Sequence, residues 1–454
     1  MAILPQGNLF SWKEIDAASD LERLSLVLSV IPDESFMRFL EDLRGKGRND
    51  YPVRAMWNAL LAGVVFQHPS AASLIRELRR NRELADLCGF DPIKGLTGVP
   101  SEDAFGRFLT KVVAHRDQVL AMFEVVVRSL AEAIPDLGTR LAMDSKALPS
   151  LGRAVKDPRK RHRPDGRRDL DADWGVKTYK GVREDGSAWK KVVTWFGYKL
   201  HLVADSRYEI PLAFHLTRAS RADVVEGRRL VRSFHDRQPQ VATRAKELSA
   251  DRGYDSGDFN AELHDDFQII PVIDTRRMWK DGEATRPLFP DRVDTIVYDE
   301  RGQVSCVCPR SGDVRHMTFC GFEKDRKTLK YRCPAATLGL HCKGRLECEK
   351  GRRIGSYGRV VRVPLDTDRR IFTPMARHTY TWLDAYKHRT AVERVFSRVD
   401  GVFGFEHHTI RGFAKMEARI TLALLVNVCM ALARVRLGQV ERLRSLVAPL
   451  PRAA

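Results

Sequence analysis

The stretch RLAMD, residues 140–144, is a short apolar run that ends in an acid. The same pattern returns in ELSAD, residues 247–251, which is followed by a turn at Gly253. Apolar runs of this length bounded by turn residues are typical of buried β-strands, so we expect Asp144 and Asp251 to stand at strand ends. Taken alone, an aspartate in such a place is more often a helix cap or turn residue than a metal ligand.

Further strand-like runs and helical patterns surround these two stretches. Residues 192–205 and 210–217 have the pattern of paired strands, and residues 269–273 form another apolar run. Helical patterns cover residues 230–234 and begin again at Ser256. Strands that pair first and then alternate with helices predict a mixed α/β sheet flanked by helices.

Residues 1–135 have a different pattern, that of several short amphipathic helices. Ser11 begins a capping box, Pro52 suits a first helical position, and Ser101 marks another helix start. These signals predict an all-α N-terminal domain. Its arginines favour DNA binding, whereas its nearly balanced charge equally suits a role in dimerisation.

The overall composition is that of a basic globular protein with several folded units. The 454 residues are 43% hydrophobic and 30% charged, and the formal net charge is +18. A surface this basic attracts polyanions, of which nucleic acid is the commonest large one. A basic protein that binds no polyanion is the alternative.

The positive charge is densest in a basic insert at residues 150–191. Such blocks are often mobile arms that neutralise phosphates, and a solvated loop without a partner is the alternative. The overall charge favours the nucleic-acid interpretation. The candidate DNA-binding residues in this insert are Arg159, Lys160, Arg161 and Arg163.

The sequence predicts a cytoplasmic protein with no membrane partner. The N-terminus lacks the basic and apolar regions of a secretion signal. The most apolar stretch, residues 420–432, is shorter than the ~20 residues that span a bilayer, so it predicts a buried core helix. In the cytoplasm the eight cysteines would stay reduced.

Residues 286–373 contain six of the eight cysteines and are predicted to form a small β-rich insertion. Thiolates bind Zn²⁺ tetrahedrally, usually through two Cys-x2-4-Cys pairs. The spacings here are irregular, so a structural zinc ion and reduced structural thiols both stay open. The candidate zinc ligands are Cys306, Cys308, Cys333, Cys342 and Cys348.

A helical pattern near the C-terminus places several functional side chains on one face. Tyr386, Arg389 and Glu393 are separated by three and four residues, and Asp400 follows seven residues later. Valines and a phenylalanine on an adjacent face would anchor this helix to a core. An ordinary helix with a surface ion pair between Arg389 and Glu393 is the alternative.

The spacing Tyr386-x2-Arg389-x3-Glu393 resembles the Y-R-E-K signature of insertion-sequence DDE transposases of the insertion-sequence-four and -five type. The other landmarks follow in that family's order: the strand ending in Asp144, FGYKLH at 196–201, and ADRGYD at 250–255. The segment from Pro52 to Phe105 is similar to that family's N-terminal helical domain. The resemblance covers most of the chain.

The resemblance implies a ribonuclease-H-like catalytic core interrupted by a cysteine-containing insertion. It divides the chain into an N-terminal helical DNA-binding or dimerisation domain, two parts of the core on either side of the insertion, and a tail. The expected limits are 1–135 for the helical domain, 136–285 and 374–437 for the core, 286–373 for the insertion and 438–454 for the tail.

The resemblance also implies the active site. Asp144, Asp251 and Glu393 would hold two Mg²⁺ (or Mn²⁺) ions, and Tyr386 and Arg389 would touch DNA near the cleaved phosphate. The reaction would cut transposon ends and transfer them to target DNA. The expected partners are double-stranded DNA, as terminal inverted repeats and as target, and a second copy of the chain in a homodimer on paired ends.

This sequence departs from the signature at one position, because Asp400 replaces its lysine. An acid repels phosphate, so a compensating cation is expected, and Arg394 and Arg398 are the nearest candidates. Lys199 and His201 point to the same side of a predicted strand and are candidate phosphate contacts. A partly exposed strand face without a ligand is the alternative for them.

Two other functions fit the same residues. One is a metal-dependent DNA nuclease that cuts without strand transfer. The other is a domesticated DNA-binding protein whose acids no longer bind metal. Retention of all three candidate acids argues against the second.

Overall fold

The computed structural model describes residues 20–46, 50–154, 167–183, 185–350 and 355–445. The chain forms two units, each built from separated segments. The predicted capping box at Ser11 and the insert residues Arg159, Lys160, Arg161 and Arg163 lie outside the described residues. The first unit comprises Met1–Leu137, Ser145–Arg221 and Glu393–Ala454, and the second comprises Gly138–Asp144 and Ala222–Val392.

The first unit begins with the predicted helical domain. Ser70 and Ser73 cap each other's backbone N–H groups, and Ser101 accepts a hydrogen bond from the N–H of Ala104, so these helix starts agree with the sequence signals. Pro52 is the N-cap and not the first helical residue. The helices are α1 (Asp20–Val30), α2 (Glu34–Arg44), α3 (Val53–Val65), α4 (Ala71–Arg80), α5 (Arg82–Cys88), α6 (Glu102–Ala114) and α7 (Arg116–Ala133).

Antiparallel strands continue the first unit. β1 (Arg140–Pro149) starts in the second unit and ends in the first. Next come β2 (Asp173–Val182), β3 (Ala188–Asp205) and β4 (Pro211–Arg218), with β3 paired to both β2 and β4. In this unit the strand order is β2-β3-β1, with β4 beside β3.

The strand prediction was incomplete in this region. We expected a strand only from residue 192, whereas β3 begins at Ala188 and β2 lies within the predicted insert. The reason is physical: both faces of this hairpin carry charged and exposed residues, so the alternation of buried and exposed positions that marks a strand is absent.

Parallel strands and helices form the core of the second unit. They are α8 (Asp223–Arg237), α9 (Pro239–Ala242), β5 (Glu247–Ala250), α10 (Gly257–Asp265) and β6 (Ile270–Ile273). The first residues of β1 pair with β5 from Arg140↔Glu247 to Met143↔Ala250, and β5 pairs with β6 in the same direction. These strands are nearly continuous apolar runs, as expected for parallel strands buried on both faces.

The cysteine-containing region is β-rich, as predicted, and has its own apolar core. Its strands form two small antiparallel sheets, β10-β9-β8-β7 and β11-β12-β13. The core includes Ile296, Tyr331, Val363 and Phe372. The elements are β7 (Arg286–Pro287), β8 (Ile296–Tyr298), β9 (Val304–Val307), β10 (Val314–His316), β11 (Thr318–Glu323), β12 (Thr328–Arg332), α11 (Pro334–Leu338), α12 (Arg345–Glu349) and β13 (Val360–Pro364).

Three helices complete the chain: α13 (Tyr380–Lys387), α14 (Thr390–Phe403) and α15 (Phe413–Arg436). In the first unit α15 packs against α1, α3, α6, α7 and β4. By length and composition α15 is apolar enough to cross a membrane, but 89% of its most apolar window is buried inside the protein. The predicted core helix is therefore present, and it is longer than residues 420–432. Together with the mixed sheet, this confirms the expected fold class.

Candidate active site

Two of the predicted acids lie where the parallel pairing of β1 with β5 ends, although β1 itself continues past Asp144 to Pro149. Asp144 follows Met143 in β1 and Asp251 follows Ala250 in β5, and Met143 and Ala250 are register partners. Since parallel strands run about 4.8 Å apart, both carboxylates emerge at the same edge of the sheet. The apolar residues before them are fully buried and fix their positions.

A third acid, which the sequence analysis missed, continues this row. Asp274 follows Ile273 in β6, and Ile273 is the register partner of Ala250. The signal was present, because the apolar run 269–273 ends in an acid as the other two runs do. The carboxylate of Asp274 lies 3.2 Å from the guanidinium of Arg252.

Asp251 also has the capping role that was the simpler interpretation. Its Oδ1 accepts a hydrogen bond of 2.7 Å from the N–H of Gly253 and so caps the short 3-10 helix Arg252–Tyr254. A Cβ at Gly253 would lie 2.6 Å from that oxygen, which explains the glycine. Capping and metal binding are compatible here, because the second carboxylate oxygen Oδ2 is not used by the cap.

Arg389 and Tyr386 lie beside these strand ends in the second unit. A guanidinium nitrogen of Arg389 is 4.0 Å from Oδ2 of Asp144, and its central carbon is 5.8 Å from the ring centre of Tyr386. The Tyr386 ring stacks on Trp382 at 4.8 Å, and Trp382 packs on Val272 of β6. Tyr386, and Arg389 beside it, are thus anchored to the sheet through α13.

The electrostatics of Tyr386 suit a hydrogen-bond donor. Burial raises the pKa of its phenol, and the carboxylates of Asp274 and Asp251 raise it further, against the opposing effect of Arg389 and Arg252. The hydroxyl therefore stays protonated at neutral pH, and it can donate to a phosphate oxygen.

Buried arginines hold the chain around this edge. Arg377 donates hydrogen bonds to the backbone oxygens of Ile273 and Arg370, and burial lowers its pKa to about 10, so it remains charged at neutral pH. Asp255 accepts hydrogen bonds from Arg370 and from the N–H of Arg276. Asp255 is therefore a structural ion-pair partner, consistent with its exclusion from the predicted ligands.

Glu393 lies in the first turn of α14, and the described part of that helix explains the missing signature lysine. In the first unit Asp400 accepts a hydrogen bond of 2.6 Å from Nζ of Lys146, which also contacts Glu406 at 2.7 Å. The acid at the lysine position is thus paired with a lysine from β1. Burial raises the pKa of Asp400, and Lys146 opposes that shift.

The arginines expected to replace that lysine have another role. Arg394 and Arg398 both form ion pairs with the buried Glu209 in the turn between β3 and β4. That prediction was wrong, because these guanidiniums anchor α14 to the antiparallel hairpin.

Lys199 and His201 occupy neighbouring positions on one side of β3 but differ in exposure. Lys199 is partly exposed and donates a hydrogen bond of 2.8 Å to the backbone oxygen of Arg221. His201 is completely buried and its Nε2 lies 3.1 Å from Oγ1 of Thr217. Burial of His201 contradicts its predicted contact with DNA, whereas the contact of Lys199 stays a prediction.

The cysteines do not form a ready-made metal site. Within the ranges that the structure describes, no group of three or more histidine, cysteine, aspartate or glutamate side chains is arranged to hold a metal ion. Burial raises the pKa of Cys306 to about 11, and the thiols of Cys333, Cys348 and Cys342 add to that shift. Hydrogen bonds from Ser311 instead lower the pKa of Cys308 to about 7.

The chemistry of the strand-end row suits a hard divalent cation. Carboxylate oxygens from separate elements are the ligands that Mg²⁺ prefers, and Asp144 and Asp251 provide them from a rigid sheet edge. Arg389 adds a guanidinium that binds phosphate in bidentate fashion.

Two family profiles match this chain. A family profile described as "Transposase DDE domain" matches residues 142–429, and one described as "Transposase domain (DUF772)" matches residues 12–111. No curated protein matches the chain. Among solved structures, a piggyBac transposase synaptic complex with hairpin DNA is similar at 12% identity and a TM-score of 0.34, over 95% of this chain and 79% of that chain.

The family profiles bear on both parts of the sequence analysis. The first covers more than half of the chain, including both strand-end aspartates and Glu393. The second covers most of the helical N-terminal domain, so the expected resemblance to insertion-sequence DDE transposases with such a domain is confirmed. The chain belongs to the family of transposases with a DDE domain.

Proposed function

We propose that this protein is a DNA transposase that cuts transposon ends and joins them to target DNA, using Asp144, Asp251 and Glu393. Membership of the family implies nuclease and transesterification activity on DNA. The observation that carries the assignment of residues is the aligned register of β1 and β5, which brings Asp144 and Asp251 to one sheet edge beside Arg389.

The proposed cofactor is Mg²⁺ or Mn²⁺, two ions per active site, held by Asp144, Asp251 and Glu393. When bound, such ions activate the attacking oxygen and stabilise the leaving oxygen. Glu393 is the third member of this set. It lies in the first turn of α14, and the ion pairs of Arg394 and Arg398 with Glu209 anchor that helix.

The protein's own groups position the phosphodiester. Arg389 would bind a non-bridging phosphate oxygen, and the Tyr386 hydroxyl would donate a hydrogen bond to the same group. In the first step water attacks phosphorus and the 3′-oxygen leaves as a free hydroxyl. In the second step that hydroxyl attacks a phosphodiester of the target DNA, and the target's own 3′-oxygen leaves.

The wider DNA contacts and the assembly belong to the same proposal. Lys199 and the insert residues would bind phosphates of the transposon end, and two copies of the chain would bind paired ends in the cytoplasm. A structural zinc ion held by Cys306, Cys308, Cys333, Cys342 and Cys348 is a separate proposal, which rests on the sequence alone. Elemental analysis of the purified protein decides between zinc and free thiols.

The test is Mg²⁺-dependent cleavage of a duplex that carries the DNA flanking the gene. We expect Asp144→Asn, Asp251→Asn and Glu393→Gln each to abolish cleavage, while binding of the same duplex in EDTA persists. Asp258→Asn is the matched control, because the Asp258 side chain is 85% exposed and lies in the same unit. Normal cleavage by Glu393→Gln would remove that residue from the mechanism.

Two further assays separate the alternative functions. A duplex with pre-cleaved 3′ ends tests strand transfer directly, and a nuclease without transfer activity would leave those ends unjoined. A domesticated binding protein would show no Mg²⁺-dependent nicking in any variant, including the unaltered protein.

A further inference from the structure

A long hairpin in the first unit is exposed on both faces. We call it the ribbon: β2 together with residues 188–196 of β3. Its strands pair continuously from Trp174↔Phe196 to Val182↔Ala188. Most of its described side chains are exposed, unlike those of the rest of β3, which are mostly buried. A two-stranded ribbon without a packed face gains little stability of its own, so such exposure needs an explanation.

One face of the ribbon presents a row of apolar side chains to solvent. Trp174 is 55% exposed, Val176 is 63% exposed and Val182 is 70% exposed, and all three lie on the same side of β2. On β3 the 51% exposed Val192 shares this face, since its partner is Thr178. Contiguous exposed apolar groups mark an interaction surface.

The opposite face is stiffened by the ribbon's own tryptophans. Trp195 lies over its partner Gly175, and Trp189 lies over its partner Gly181, so closely that a Cβ at either glycine would overlap the ring. The indole N–H of Trp195 also donates a hydrogen bond of 3.0 Å to the backbone oxygen of Tyr198. The same device occurs twice on one face, which gives the ribbon a fixed shape before any partner binds.

The charge of the ribbon selects the partner. The ribbon contains four lysines and a single acid, Asp173, which is its first residue and accepts hydrogen bonds from Ser220. Lys177, Lys190 and Lys191 are exposed. A strip that combines apolar side chains with an excess of positive charge is complementary to a polyanion with apolar groups in a groove. The major groove of B-DNA is about 12 Å wide, admits a two-stranded ribbon and displays thymine methyl groups.

We propose that the ribbon docks in the major groove of duplex DNA. Its lysines contact backbone phosphates, and its exposed valines and Trp174 contact base edges and methyl groups. This inference rests on the proposed function and adds the surface that grips the duplex away from the carboxylates. The competing occupant of the same face is a second copy of the chain.

The first test measures phosphate contacts with a random-sequence duplex several helical turns long, in EDTA and over a series of salt concentrations. Each lost phosphate contact reduces the slope of log K against log salt by about 0.9, so Lys190→Ala/Lys191→Ala reduces it by about 1.8. Lys280→Ala/Lys324→Ala is the charge-matched control, because both lysines are exposed in the second unit. Equal slopes for the two double variants would overturn the proposal.

A second pair of substitutions distinguishes DNA from a protein partner. We expect Val176→Ser/Val192→Ser to weaken duplex binding at every salt concentration without changing the slope, and to leave the oligomeric state unaltered. Dissociation of the oligomer with unchanged DNA affinity would make the ribbon an interface between copies and refute the proposal. Because both measurements omit divalent ions, loss of cleavage in the carboxylate variants has no bearing on their outcome.

Discussion

Asp169, in the first unit, is a buried carboxylate whose replacement should have a large effect on stability. It is 2% exposed and accepts hydrogen bonds from the hydroxyls of Ser150 and Tyr198. It also accepts from the backbone N–H groups of Gly412, Asp171 and Ala172. One carboxylate thus joins the end of β1, the middle of β3, the segment before β2 and the start of α15.

Asp169→Ala leaves these donors without their acceptor. Leaving the buried hydroxyl of Tyr198 without an acceptor should lower the free energy of unfolding by about 1–3 kcal/mol. The other hydrogen bonds to the charged carboxylate are also lost and only partly replaced by water, so the total loss should be about 3–5 kcal/mol. Tyr198→Phe removes one donor and should cost about 1–2 kcal/mol. The double variant should cost less than the sum, because the phenylalanine no longer has a hydroxyl to satisfy.

Urea unfolding of the four proteins, followed by circular dichroism, measures this cycle. Asp171→Ala is the matched control, since Asp171 is exposed and accepts from the N–H of Phe413. A loss below about 1 kcal/mol for Asp169→Ala, or one equal to that of Asp171→Ala, would contradict the estimate.

The pH dependence follows from the same contacts. Burial tends to raise the pKa of Asp169, but hydrogen bonds from Gly412, Ser150, Tyr198 and Asp171 outweigh burial and hold it below 3.8. Since the folded pKa is the lower one, the stabilisation is complete well above pH 3.8 and is lost as the pH falls through the folded value. The difference in stability between the unaltered protein and Asp169→Asn should therefore shrink on acidification.

Two other replacements give sharp outcomes. Arg389→Lys should reduce kcat/KM for cleavage by about tenfold or more, because an ammonium cannot bind phosphate in bidentate fashion, while duplex affinity in EDTA changes little. Unchanged cleavage would show that Arg389 only stabilises α13. Lys146→Met should lower the free energy of unfolding by about 1–3 kcal/mol, because it leaves Asp400 half-buried without its cation. Adding Asp400→Leu should recover part of that loss. Urea titration measures both variants, and no recovery in the double variant would mean that the ion pair is not the cause.

The sequence located the two aspartates beside the parallel strands because their signal is local, although only Asp251 follows a strand end and β1 continues past Asp144 to Pro149. An apolar run followed by an acid needs only five neighbouring residues, and both Asp144 and Asp251 were found in this way. Asp274 carries the same signal but is not one of the three acids that the family resemblance implies. The helical N-terminal domain was also predicted, from signals such as the Ser101 cap that act within a single turn.

What the sequence did not reveal depends on contacts between distant segments. Lys146 and Asp400 are 254 residues apart, so no local sequence pattern indicates the ion pair between Lys146 and the acid that stands at the signature's lysine position. The pairing of Glu209 with Arg394 and Arg398 is equally distant. The burial of His201 was hidden for the same reason, since its exposure is decided by what covers β3.

The interleaving of the two units has a consequence for synthesis of the chain. The first residues of β1 form their parallel pairs only with β5, about a hundred positions later, as the hydrogen bond from Ser249 to the Leu141 carbonyl shows. Pairing over such a separation is slow, and the edge of β1 that faces β5 stays unpaired while the ribosome adds the intervening residues. A chain that ends before Ala250 therefore lacks the parallel partner of β1 and exposes an unpaired strand edge that favours aggregation.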